Sequence, residues 1–76
     1  MWQNGKKIIG LWTNNEDKNA YVYVQDIGWR RISILNDAQF LSMWAICIAA
    51  YSGNRFVNFS EIGVEGFIFI TEIYMF

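Results

Sequence analysis

The chain contains no histidine, no proline and a single cysteine, Cys47, among its 76 residues. Each absence closes a route. Without His, the usual neutral-pH acid–base group is missing, and so is the usual partner that activates a Ser or Cys nucleophile. One Cys forms no internal bridge, and one Cys without His makes no zinc site. A domain this small buries only about two-thirds of its unfolded surface, so packing alone must hold it together. Charge is sparse too. Six basic residues against seven acidic ones leave a net charge of −1 and a pI near 5.1. That balance draws the chain neither to nucleic acid nor to an anionic membrane, and nucleic acid is not an expected partner.

Long apolar runs are also missing. The longest uncharged apolar stretch, Met43 to Tyr51, is nine residues, well short of the roughly 20 that span a bilayer as a helix. Lys6-Lys7 is followed only by Ile8 to Trp12 before Thr13-Asn14-Asn15 intervenes, too short for a signal-peptide core. The expectation is a cytoplasmic protein with no membrane span, although a mature secreted chain behind a new Met reads the same way.

What the chain does have is apolar surface: 54% hydrophobic residues, with four Trp, four Tyr and six Phe. Counting Gly in place of Tyr gives about 57%, against a usual 45–50%. So small a domain has little interior for so many large side chains, and part of this surface is expected in a subunit interface. The charges are split along the chain. Five of the six basic residues precede residue 32, whereas Arg55 is followed only by Glu61, Glu65 and Glu72. Such a split either steers head-to-tail assembly or averages out as solvated charge.

Residues 1–76 read as one domain without linker or repeat. Lys7 to Thr13 reads as a strand, with Ile9 and Leu11 on one face and Ile8 and Trp12 on the other. Asn14 to Asn19 is a loop rich in side chains that bond their own backbone. Ala20 to Gln25 alternates, Val22 and Val24 facing one way and Tyr21 and Tyr23 the other. Asp26-Ile27-Gly28 is a turn, and Trp29 to Leu35 is the hairpin partner, with Arg30, Ile32 and Ile34 on one face. Asn36 or Asp37 caps a helix over 38–52 that stops at Gly53-Asn54. Phe40, Trp44, Cys47 and Tyr51 form its apolar stripe, but Leu41, Met43, Ala45, Ile48, Ala49 and Ala50 make the rest apolar as well. A helix apolar nearly all round is covered on more than one side, which points to a second subunit. Arg55 to Ser60 is a strand, Glu61 to Glu65 a turn, and Gly66 to Phe76 a final strand. The expected class is all-β with one helix: a five-stranded OB-fold-like barrel in the order β-β-β-α-β-β. A two-layer α+β sheet under one helix has the same order.

The helix Phe40-Leu-Ser-Met-Trp-Ala-Ile-Cys-Ile-Ala-Ala-Tyr-Ser-Gly53, the strand Arg55-Phe-Val-Asn-Phe59 and the closing Ile70-Thr-Glu-Ile-Tyr-Met75 form a recognisable cadence. Over residues 20–76 it resembles the B-subunit-like OB-fold proteins, which include the pentameric binding subunits of subtilase-cytotoxin and pertussis-like toxins. Ala50-Tyr51-Ser52-Gly53 and Ile73-Tyr74 are the matching positions. The resemblance implies a closed ring of like subunits, a pentamer, that binds a sugar. No sugar-contacting residue carries over, because none matches position by position.

Catalysis is poorly supplied, and no enzyme, metal or cofactor is expected. Cys47 lies mid-helix among Ile and Ala as an inert core thiol. The carboxylate pairs Glu16-Asp17 and Glu61/Glu65 sit in expected loops, where solvated charge is the default. The aromatic and Arg residues are more informative. Trp12, Tyr21, Tyr23, Trp29, Arg30, Arg31, Tyr51 and Arg55 are suited to a face that stacks a ring and pairs an anion, as OB-folds do on their second and third strands. The structural alternative packs Trp12 against Trp29 across strands and pairs the Arg residues with Glu. Successive strand residues face opposite ways, so Arg30 belongs with Ile32 and Ile34 on the core side, and Arg31 with Trp29 and Ser33 outside. The expected ligand site is therefore Trp29 with Arg31, assisted by Tyr51 or Arg55 from across the barrel or from a neighbouring subunit. Two functions fit. One is a non-enzymatic oligomer that binds a small polar ligand such as a sugar or nucleotide. The other is an interaction module that docks a partner protein through its apolar helix and last strand.

Overall fold

Alternation and turn chemistry build the barrel. A computed structural model describes residues 1–14, 19–33 and 37–76 of the chain. Its elements are β1 (Trp2–Thr13), β2 (Ala20–Val24), β3 (Gly28–Ile32), α1 (Asp37–Gly53), β4 (Phe56–Val64) and β5 (Phe67–Met75). The strands close in the order β1-β2-β3-β5-β4, with β4 pairing back onto β1. Every pair is antiparallel except β3–β5, a parallel seam of only Arg31↔Phe69 and Ile32↔Ile70. This is the OB-fold-like barrel expected from the element order. The open two-layer sheet is excluded because every one of the five strands has a neighbour on each side and none is left as an edge.

The interior is filled from every strand: Ile8, Ala20, Val22, Val24, Ile32, Val57, Phe59 and Ile70 are buried. Helix α1 lies across this barrel and adds Phe40, Met43, Cys47 and Ala50 to the same core. Its buried stripe thus runs 40, 43, 47, 50. Trp44 packs at the margin and Tyr51 is exposed, so the expected stripe is off at these two positions. On the outer side Leu41, Ala45, Ile48 and Ala49 remain exposed and apolar. The helix ends as its sequence predicts. Asn54 takes a left-handed φ of 54°. The Asn54 N–H donates to the Tyr51 carbonyl at 3.4 Å and the Arg55 N–H to the Ala50 carbonyl at 2.9 Å, a Schellman stop. Among the described residues no helix is long and apolar enough to cross a membrane.

Three readings of the sequence need correction. Strand β1 begins at Trp2 rather than Lys7, because Gly5 at φ 62° absorbs a register shift between Gln3 and Lys6. A second shift, between Ile8 and Gly10, breaks the expected alternation of this strand. Ile8 and Leu11 both turn to the core, while Ile9 and Trp12 both turn out. A bulge inserts one unpaired residue and so reverses the faces beyond it. Third, the expected turn at Glu61 to Glu65 is mostly strand. β4 runs to Val64, and the reversal is made by Glu65 (φ 50°) and Gly66 (φ 85°) alone. Two successive positive φ angles are what a two-residue hairpin turn needs. Strand β3 ends at Ile32, and the Ser33 N–H then donates to the Ile70 carbonyl at 3.0 Å. The expectations for Ile34, Leu35 and the Asn36 cap, and for the loop residues Asn15 to Lys18, fall outside the described residues.

Candidate functional site

The bulge in β1 builds the site by sending Trp12 outward. Residues paired directly across strands share a face, and the registers form a continuous outer row: Trp12↔Tyr21, Tyr21↔Arg31, Arg31↔Phe69, Phe69↔Ile62. It crosses all five strands with one cation at its centre. A second row beside it is Gly10↔Tyr23 and Tyr23↔Trp29. Gly10 matters for space: a Cβ there would stand 3.1 Å from the Tyr23 Cβ and 4.0 Å from the Trp29 ring. Its missing side chain leaves room for Tyr23 beside it and for the edge of the Trp29 ring.

The rings pack in pairs along neighbouring strands. Trp12 meets Tyr21 edge-on with centroids 5.5 Å apart, and Tyr23 meets Trp29 likewise at 5.1 Å. The Trp residues therefore pack against Tyr partners rather than against each other. Even so, Trp12 stays 43% exposed and Trp29 49% exposed. With Tyr21 they line an open groove of about 350 Å³. Its size falls at the lower end of the roughly 300–1,000 Å³ typical of small-molecule sites.

Arg31 stands in the middle of the outer row, next to Tyr21 of the groove lining. Its guanidinium carbon lies 5.7 Å from the Tyr21 ring centre and 5.6 Å from those of Phe67 and Phe69. The Nε is enclosed by these rings and has no hydrogen-bond partner. Phe67 and Phe69 were not among the sequence-predicted site residues. Their alternation within β5 was a usable signal, but only the barrel closure puts them beside β3.

Arg30, one residue earlier, faces the other way as expected. Its Nε donates to Glu61 Oε2 at 2.7 Å, with the two side chains only 14% and 11% exposed. Gln3 Nε2 donates to the other Glu61 oxygen at 3.0 Å, and the terminal ammonium of Met1 donates to the Glu61 carbonyl at 2.9 Å. Burial alone would raise the Glu61 carboxyl. The hydrogen bonds from Arg30 and Gln3, with the positive charges of Arg30 and the N-terminus, outweigh burial and hold it below the usual carboxylate value. This cluster is internally satisfied.

Of the expected site residues, Trp29 and Arg31 share the outer face of β3. Tyr51 and Arg55 do not join them within one chain. Arg55 Nε donates to the Phe76 carbonyl at 2.9 Å, at the far end of β5. Val57, two residues on, pairs with Met75, six positions from the Phe69 that flanks Arg31. At about 3.3 Å per residue this places Arg55 on the order of 20 Å away. Tyr51 is exposed on the last turn of α1.

Two other features are chemically poorer. A groove of about 370 Å³ between α1 and β5 is lined by Gln39, Ser42, Ile46, Thr71 and Glu72 among others, with no ring to stack on and no cation. Cys47 is wholly buried, and desolvation pushes its thiol up to about 12, which keeps it protonated and unreactive. Among the described residues no cluster of His, Cys, Asp or Glu is arranged to hold a metal ion. No protein-family model matches the chain and no curated protein matches it, which leaves the geometry of the outer face as the ground for its function.

Proposed function

We propose that this protein binds a small polar ligand on the outer face of β1–β3, does no chemistry on it, and assembles as a closed ring of like subunits. One observation carries the binding role: Trp12, Tyr21 and Trp29 present half-exposed rings around one groove, next to an Arg31 that has no carboxylate partner among the described residues. An aromatic surface with few, well-placed polar groups is the usual makeup of a ligand site. The face is also where OB-folds take their ligands, which supports the reading by analogy of fold.

Assembly is supported by apolar surface that one barrel leaves uncovered. Leu41 and Ile48 on α1 are exposed, as are Ile62, Val64 and Phe67 on the β4–β5 hairpin. The resemblance to toxin binding subunits favours a pentamer, and a ring is also the route by which Tyr51 or Arg55 would reach the groove of a neighbour. The same apolar surface supports a second reading, a module that docks a partner protein through α1 and β5.

Two measurements separate these readings. A thermal-shift panel of sugars and nucleotides should give a clear stabilisation with at least one ligand. Silence across the panel, with a partner protein retained by α1, favours the docking module. Light scattering at micromolar concentration should give a multiple of the 8.9 kDa chain mass. Ile48→Glu should reduce that mass to the monomer without unfolding the barrel, since Ile48 is 41% exposed and points away from the core. A monomer mass for the unaltered chain removes the ring from the proposal.

A further inference from the structure

We infer that the outer face takes a ligand joining a flat ring to an anionic group, with the chemistry of a nucleoside monophosphate. The anion meets the terminal amino groups of Arg31, and the ring lies against Trp12 or Trp29. This rests on the reading that the face binds a small ligand, and it names which kind.

The cation comes first. Acidic residues outnumber basic ones in the chain, yet among the described residues Arg31 has no carboxylate partner while Arg30 beside it has Glu61 at 2.7 Å. Tyr21, Phe67 and Phe69 surround the Arg31 guanidinium, and its Nε is sealed off without a partner. Arg31 as a whole is only partly buried, and among the described residues Nε alone of its nitrogens is enclosed without a partner. The ring faces substitute in part for a counter-ion. They also lower the local dielectric, which strengthens the pull on an anion that approaches the open end. A guanidinium fork held by its stem is preorganised for two parallel hydrogen bonds to phosphate or carboxylate.

The groove selects the rest. Trp12, Tyr21 and Trp29 offer ring faces but only two indole N–H groups and one phenol. A neutral sugar would find few protein partners for its hydroxyls there, so the groove gives it little beyond stacking. A nucleobase loses little, because stacking uses its π-face. Size and charge argue against a longer strand. The groove is about 350 Å³, and an oligonucleotide needs several cations along its backbone. Among the described residues this face has Arg31 alone. Lys7 is turned to Asn54 Oδ1 at 2.8 Å, just before Phe56 begins β4.

The test is a titration of the ¹⁵N-labelled protein with AMP, adenosine, inorganic phosphate, N-acetylneuraminic acid and galactose, followed at the indole N–H signals of the four Trp residues. AMP should move Trp12 and Trp29 and spare Trp2 and Trp44, and should bind at least tenfold more tightly than adenosine. Arg31→Gln should remove that advantage and Arg31→Lys should restore part of it. In the unaltered protein, added salt should weaken AMP and leave adenosine unchanged, a readout that needs no variant. Equal affinity for AMP and adenosine, or movement of Trp12 and Trp29 by galactose alone, overturns the anion while the binding face stands. N-acetylneuraminic acid outcompeting AMP keeps the anion and overturns the flat ring. If no probe moves Trp12 or Trp29, the binding face falls, and this inference with it.

Discussion

Arg30 and Arg31 are adjacent on one strand and lie in opposite environments. Arg30 points to the inner side, where Glu61, Gln3 and the N-terminal ammonium form a closed set of hydrogen bonds. Arg31 points out, where three aromatic rings flank its guanidinium and its Nε goes unbonded. An unsatisfied buried donor costs free energy and calls for an explanation. The inner cluster explains itself as structure. The outer one is accounted for by the proposed ligand, which would bring the missing acceptor. The period of two in a strand separates the roles, so a bulge or a slip there would exchange them.

The largest effect should come from breaking the inner set. Glu61→Ala leaves the largely enclosed Arg30 guanidinium without its partner and should cost about 3 kcal/mol in urea unfolding. For a chain of this size that is a large fraction of the total stability. The pH dependence follows from the same group. Its folded pKa is depressed below the ordinary 4.5, so its contribution is fully present above that value and is lost as pH falls through the folded pKa. Stability should be level from about pH 7 to pH 5, since there is no His to titrate. Below that it should drop, and Glu61→Gln should flatten the acid limb.

Trp29→Ala probes the outer side. It removes one edge-on ring pair of about 1 kcal/mol, and should lower the melting temperature by only about 4–8 °C. Ligand affinity should fall at least tenfold. Equal loss of stability in Trp29→Ala and Glu61→Ala would erase the distinction between the two faces. The smallest effect is expected at Cys47. With the thiol buried and its pKa near 12, a thiol reagent should label the native protein no faster than it unfolds. Cys47→Ala should leave ligand binding unchanged. Rapid labelling of the native state would show the helix to be less firmly seated than its packing implies.

Much of this contrast was legible in the sequence. Val22 and Val24 alternate with Tyr21 and Tyr23, and Trp29 and Arg31 alternate with Arg30 and Ile32, so the faces of β2 and β3 followed from period two alone. The absence of His and the Gly53-Asn54 stop were equally plain. β1 was only partly legible: a lone Gly inside a strand, here Gly10, is a bulge signal, but the register shift it marks is fixed only by pairing with β2. The β4–β5 turn was misplaced because Glu61 looks like a loop residue until Arg30 is brought to it across the barrel. Phe67 and Phe69 were missed for the same reason: they reach Arg31 only through the parallel β3–β5 seam, which joins residues far apart in the chain. Tyr51 and Arg55 were grouped with Trp29 by chemistry, and the strand registers place them at the other end.

The most direct test compares the urea-unfolding midpoints of Arg30→Ala and Arg31→Ala at neutral pH. Arg30→Ala strands an enclosed Glu61 carboxylate and should cost about 3 kcal/mol. Arg31→Ala gives up ring contacts but also removes an unbonded Nε, and should cost about 1 kcal/mol. A destabilisation by Arg31→Ala that equals or exceeds that of Arg30→Ala would contradict the account, because Arg31 would then be the clasp of the short β3–β5 seam rather than an anchor kept for a ligand.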